Sequence, residues 1–172
     1  MNGCYSPSDM RCEKKYLIFA IVWTLLFSTH GVADDAIGMT LVSRGEVQVT
    51  SSGEPRPLGR GDFLSEKDEI TVGDRSFAVL QFVDGSKLSI RPDSTLIIEQ
   101  FQFTGQSEGA VTLHLLAGGF RINQGAISSQ QANSFRIRVP SGLLFLSDPE
   151  GSLTLCGNEV CDLQGLVESS EQ

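Results

Sequence analysis

Between Arg60 and Ile98 the chain alternates apolar and polar residues in short runs, Glu69 to Val72, Phe77 to Val83, Lys87 to Ile90 and Thr95 to Ile98, separated by Gly, Asp, Pro and Ser. An apolar period of two with frequent breakers predicts packed strands, because a helix would repeat its apolar face every three to four residues. The centre of the stretch is Val83-Asp84-Gly85-Ser86. Asp-Gly between apolar runs predicts a hairpin, and its register follows from which side chains would face each other. A two-residue loop at Asp84 and Gly85 would set Phe82 opposite Lys87 and Leu80 opposite Ser89, mixing core and solvent residues on one face. A three-residue loop over Val83, Asp84 and Gly85 sets Leu80 opposite Leu88 and Ala78 opposite Ile90, with Gly85 taking the left-handed conformation that suits glycine. The second register is the one expected. Pro92 has no N–H for a ladder, so the ribbon should end or bulge there.

The same alternation extends both ways. Val47 and Val49 alternate with Glu46, Gln48 and Thr50, and Ser51 to Pro55 reads as a turn. Gly-Asp pairs recur at Gly61-Asp62 and Gly73-Asp74. Phe101 to Phe103 continues the pattern, Thr104 to Gly109 is a polar loop, and Val111, Leu113 and Leu115 define another strand. Gly118-Gly119 breaks it before Phe120-Arg121-Ile122, and the polar run Asn123 to Ser134 reads as a long exposed loop. Phe135 to Val139 is the cleanest alternation, with Phe135, Ile137 and Val139 inward and Arg136 and Arg138 outward. Leu143 to Leu146, apolar at consecutive positions, predicts a strand buried on both sides, and Asp148 to Gly151 predicts a β-turn. No window after Asp34 supports an amphipathic helix. The fold class expected is all-β, either a sandwich or a short stacked-strand prism of solenoid type.

The N-terminus breaks this pattern. Arg11, Lys14 and Lys15 precede a twelve-residue apolar run from Tyr16 to Phe27, followed by Gly31-Val32-Ala33 before Asp34-Asp35. That is the layout of a secretory signal, and the run is shorter than the roughly 20 residues of a spanning helix. Residues 1–33 are therefore expected to be a signal peptide cleaved after Ala33, with retention as an inner-membrane anchor the alternative. The remaining 34–172 should form a single domain with its core over 45–140, hairpins over 141–165 and a tail over 166–172. Export is expected to place the protein in an oxidising compartment. Cys156 and Cys161, flanking Gly157 to Val160 in an oxidising compartment, read as a disulfide closing a hairpin. Zinc is the weaker reading, since only His114 remains as a histidine after Ala33, and the spacing differs from that of redox CxxC sites.

Charge and motifs narrow the function classes. The formal charge is -8 with no long basic run, which argues against nucleic acid and anionic membrane surfaces as partners. His114 lies in a strand with no neighbouring nucleophile motif, and reads as a surface or satisfied histidine. Asp62, Asp74, Asp84 and Asp93 each sit beside Gly, Pro or Ser, and Asp68 stands three residues after Ser65; turn capping accounts for all of them without calcium. Arg60-Gly61-Asp62 matches an integrin tripeptide by coincidence. The expectation is a protein that is not an enzyme and carries no cofactor or metal. Arg136 and Arg138, projecting from one strand face, are the candidate contact stripe toward an acidic partner.

Particular residues add a family expectation. The order Pro57-Leu58, Gly61-Asp62, Leu64, Asp68 and Ile70, then Asp84-Gly85-Ser86 with Leu88, Ile90, Pro92, Ser94, Leu96 and Ile98, resembles the FecR domain. The similarity continues through Leu116, Gly118-Gly119, Phe120-Arg121 and Phe135 to Pro140, so that it spans about Gly45 to Pro140. The resemblance implies the all-β periplasmic part of regulators that sense a liganded outer-membrane receptor and relay the signal to a cytoplasmic sigma factor. Its motifs, Gly61, Asp62, Asp84, Gly85, Ser86 and Pro92 among them, are turn and fold positions, specific for fold and poor guides to activity. Three departures stand out. Fifteen residues precede the apolar run, so the cytoplasmic sigma-binding region is expected to be absent. Lys67 and Val72 stand where the family commonly shows Gly and Thr. After Pro140 the usual Gly-Thr-containing strand is replaced by Ser141 to Gly151 and the cysteine hairpin. The expected function is a non-catalytic periplasmic protein-interaction or sensing module whose partner is another cell-envelope protein, such as an outer-membrane receptor or regulator. The alternative is a structural envelope module near peptidoglycan with no signalling role.

Overall fold

A computed structural model describes residues 36–105, 108–127 and 134–168, so the signal-peptide expectation and much of the Asn123 to Ser134 loop lie outside the described residues. In chain order the strands are β1 (Gly38–Arg44), β2 (Val47–Thr50), β3 (Arg56–Pro57), β4 (Phe63–Leu64), β5 (Glu69–Val72), β6 (Phe77–Phe82), β7 (Lys87–Ile90), β8 (Ser94–Phe103), β9 (Gly109–Ala117), β10 (Gly119–Asn123), β11 (Phe135–Val139), β12 (Gly142–Leu146), β13 (Glu150–Cys156), β14 (Glu159–Gln164) and β15 (Leu166–Glu168). They form two sheets, one ordered β14-β13-β10-β7-β6-β1-β4 and the other β15-β12-β11-β9-β8-β5-β2-β3. Of the two architectures expected, the sandwich is the one found. Pairing is antiparallel throughout the ladders except between β9 and β11, which run parallel.

Both sheets contribute their inner rows to one apolar cluster, with Val49, Ile70, Leu80, Leu88, Leu96, Leu113, Phe120 and Ile137 all buried. Each such aliphatic or aromatic side chain contributes about 1.5–3 kcal/mol by leaving water. The β6–β7 hairpin takes the register that facing side chains demand: Ala78 is paired with Ile90 and Leu80 with Leu88. Gly85 has φ +87° and its N–H donates to the Phe82 carbonyl at 3.0 Å.

Most crossings of the chain from one sheet to the other are made at left-handed residues, the step from β12 to β13 being an exception. Positive φ occurs at Gly45, Gly61, Lys67, Arg75, Asp93, Gly118 and Gly165, each lying between a strand of one sheet and a strand of the other. A left-handed residue turns the backbone sharply enough to carry the next strand into the opposite layer. The Gly118 corner leaves no alternative to glycine, because a Cβ there would sit 2.2 Å from Ser94 Oγ and 2.5 Å from the Asp93 carbonyl. Ser94 Oγ accepts the Gly119 N–H at 2.9 Å and so ties the β9–β10 corner to the one after β7. Pro92 sits in that second corner, past the end of β7.

Four expectations change. Leu144 and Leu146 are buried, but Leu143 and Phe145 are only half-buried, because β12 lies in a sheet whose outer side no third layer covers among the described residues. Asp148 to Gly151, expected as a β-turn, is instead a bend at Asp148 and Pro149 that leads straight into β13 at Glu150 and Gly151, since β12 and β13 belong to different sheets. Residues 166–168, assigned to the tail, form β15, where Leu166 is buried and pairs with Leu146. Within the Asn123 to Ser134 loop, Ile127 is fully buried rather than exposed.

Candidate protein-interaction face

Strand β11 lies inside its sheet, antiparallel to β12 and parallel to β9. Its alternation sends Phe135, Ile137 and Val139 to the core and leaves Arg136 and Arg138 exposed on the outer face. Across that face Arg136 stands opposite Thr112 and Phe145, and Arg138 opposite His114 and Leu143. Both arginines therefore lie on the outer face.

Glu99 is the centre of the charge arrangement there. The β8–β9 register shifts between Ile98 and Gln100, so that Glu99 is an extra residue on β8, a bulge. Before the bulge Leu96 and Ile98 point inward, and after it Phe101 does, which leaves Glu99 and Gln100 both on the outer face. Arg138 Nη1 donates to Glu99 Oε1 at 2.9 Å, and the same oxygen lies 3.3 Å from His114 Nδ1. The Lys67 ammonium donates to the Glu99 carbonyl oxygen. Nearby, Glu66 Oε1 accepts the Phe101 N–H at 2.7 Å. A groove of about 440 Å³ runs over these residues, with Thr112 in it and Leu143 along it.

The two carboxylates, Glu66 and Glu99, each have partners within the chain, while Lys67, Arg136 and Arg138 supply three cations. Arg138 is thus not a free contact residue. Its ion pair is half-exposed, and such pairs contribute only about 0.2–1 kcal/mol, so an external carboxylate can displace Glu99 with little loss. His114 is held beside a carboxylate in a crowded strand face, which agrees with a satisfied histidine. Glu66, Lys67, Glu99, Gln100 and Gln102 were invisible as site residues in the sequence. The one available signal was the three-residue step from Ile98 to Phe101, which breaks the period of two and marks the bulge.

The remaining site residues fall at turns. Asp62 Oδ2 accepts the Gly59 N–H at 2.9 Å and a bond from Arg56, closing the turn that contains Gly61. Asp84 Oδ1 accepts both the N–H and the hydroxyl of Ser86, at 3.0 and 2.6 Å, while its carbonyl accepts the Ala126 N–H. The Asp-Gly-Ser motif therefore shapes the hairpin and also anchors the segment after β10. Cys156 and Cys161 form a disulfide with Cα atoms 5.7 Å apart, at the tip of the β13–β14 hairpin on the edge of the first sheet.

Fold and face together define an all-β, two-sheet domain whose second sheet carries a charged cluster on its outer face. The family model described as FecR protein matches residues 68–147, a little under half of the chain, and this match supports a FecR-domain assignment. The matched stretch runs from the start of β5 to the end of β12, so it begins later than Gly45 and continues past Pro140. It contains Glu99, His114, Arg136 and Arg138. That family is regulatory rather than catalytic, and the match suggests a signalling or sensing regulator. Neither the search of curated proteins nor that of solved structures found a match.

Proposed function

We propose that this chain is a non-catalytic periplasmic module that binds another cell-envelope protein through the outer face of its second sheet. The observation that carries this reading is the groove around Glu99, in which Arg138 is held by a weak ion pair on a rigid strand. An arginine held this way presents a directional donor to a partner carboxylate, and exchanging one carboxylate for another costs little. Export rests on the signal-like sequence before Asp34.

The test is charge reversal. Arg136→Glu combined with Arg138→Glu should abolish capture of the partner in a crosslinking pull-down from envelope fractions, with the circular dichroism spectrum unchanged. Capture at the wild-type level by a folded double variant would remove this face from the function.

A further inference from the structure

Strand β8 is longer than the strand that covers one of its sides. Strand β5 pairs with it from Val72 opposite Ser94 to Glu69 opposite Ile97, and the corner before β5 adds Lys67 N–H to the Ile98 carbonyl and Ile98 N–H to the Asp68 carbonyl. Beyond Ile98, β8 continues to Phe103 with β9 on its other side only. Among the described residues no strand pairs with the β5 side of Glu99 to Phe103.

Two side chains stand where that strand would be. Glu66 Oε1 accepts the Phe101 N–H, and the Lys67 ammonium donates to the Glu99 carbonyl. A carboxylate oxygen in the place of a carbonyl, and an ammonium in the place of an amide, mimic the ladder of a missing neighbour. Phe103, two residues after Phe101, directs its backbone to the same open side by the alternation of an antiparallel strand. A hollow of about 560 Å³ lies against this end of β8, lined by Ala36, Ile37, Val83, Phe101, Phe103 and Thr104. Val83 is 56% exposed there, and Gln102 borders both this hollow and the polar groove.

We infer that the open edge of β8 from Glu99 to Phe103 is a strand-addition site that takes an extended polypeptide segment of the partner. This deepens the protein-binding reading above and rests on it. Backbone groups repeating along a strand edge are matched by an extended polypeptide, which brings alternating carbonyl and amide groups at the same repeat. The side chains of such a segment point alternately to opposite faces. One row enters the hollow against Ala36, Ile37 and Val83, which fits apolar residues. The other row emerges beside Lys67 and the arginine face, which fits acidic residues. The segment thus alternates apolar with acidic or polar positions, and it displaces Glu66 from the Phe101 amide as it docks.

The experiment selects short peptides from a random display library against the full chain and measures binding of the enriched sequences as synthetic peptides. Strand addition expects alternating apolar and acidic sequences that shift the backbone amide resonances of Glu99 to Phe103. Methylating one inward-facing backbone amide of the peptide should weaken binding about tenfold, as for one lost hydrogen bond, while leaving the protein untouched. Glu66→Ala should tighten binding by freeing the Phe101 amide, and Phe103→Pro should weaken it. Peptides that perturb only the Arg136 and Arg138 surface, or that tolerate amide methylation at every position, overturn strand addition while leaving partner binding in place. Edge-bound peptides, together with partner capture that survives the arginine reversal, would instead retire the arginine face and keep the strand edge.

Discussion

Lys67 holds φ at +71° in the corner between β4 and β5, a conformation that costs a residue with a Cβ roughly 1–2 kcal/mol. This accounts in physical terms for the glycine that FecR domains commonly carry there. Its ammonium bond to the Glu99 carbonyl offsets part of the strain, but the bond is exposed and weak. Lys67→Gly should therefore stabilise the domain by about 0.5–1 kcal/mol, read as a higher denaturant midpoint. A lower midpoint would show that the ammonium bond outweighs the strain. Gly118, at φ +75°, is the opposite case. Gly118→Ala adds left-handed strain to a methyl group overlapping Ser94 and the Asp93 carbonyl, and should lose about 2–4 kcal/mol. At this scale the sequence was readable at Asp62, Asp84 and Gly85, whose chemistry is local: a carboxylate and a glycine act within a few residues of themselves. It was not readable at Glu99, whose partners Arg138, His114 and Lys67 come from distant strands and meet only after folding.

Among the elements, the β13–β14 hairpin shows how little a short covalent loop need contribute. The disulfide joins residues five apart in sequence, both cysteines are exposed, and β14 is an edge strand. Closing so small a loop removes little entropy from the unfolded chain, so the bond contributes on the order of 2 kcal/mol. Cys156→Ser with Cys161→Ser should lower unfolding stability by about that amount and leave the circular dichroism spectrum native. Loss of the folded spectrum would mean that the hairpin holds the sheet together. Most strands were legible, since period two survives in a half-buried strand, but β1 and the short β3, β4 and β15 were not. Nor were strand partners. The sequence neighbours β12 and β13 read as two arms of a turn but lie in different sheets, while β12 pairs instead with β15, a strand of three residues. Leu143 and Phe145 misled for a related reason: apolar residues on the open outer face of a sheet look the same in sequence as residues covered on both sides.

At the scale of the molecule, processing can be read from absorbance. Tyr5, Tyr16 and Trp23 all precede Ala33, so a form cleaved after Ala33 contains neither tyrosine nor tryptophan. If the chain is exported and cleaved there, as proposed, the purified protein should show almost no absorbance at 280 nm beyond the weak disulfide contribution, and an ordinary aromatic peak would mean that the N-terminal segment is retained. Alternation and breaker residues by themselves determined that this is an all-β domain, where its main strands run, and how the Val83 to Gly85 hairpin is registered, because each depends on contacts between near neighbours in the chain. Only the tertiary structure decided which strands share a sheet, where β8 is left uncovered, and how Glu99 gathers its cations. Those features depend on hydrogen bonds and charge contacts between residues far apart in sequence, and an apolar period carries no information about them.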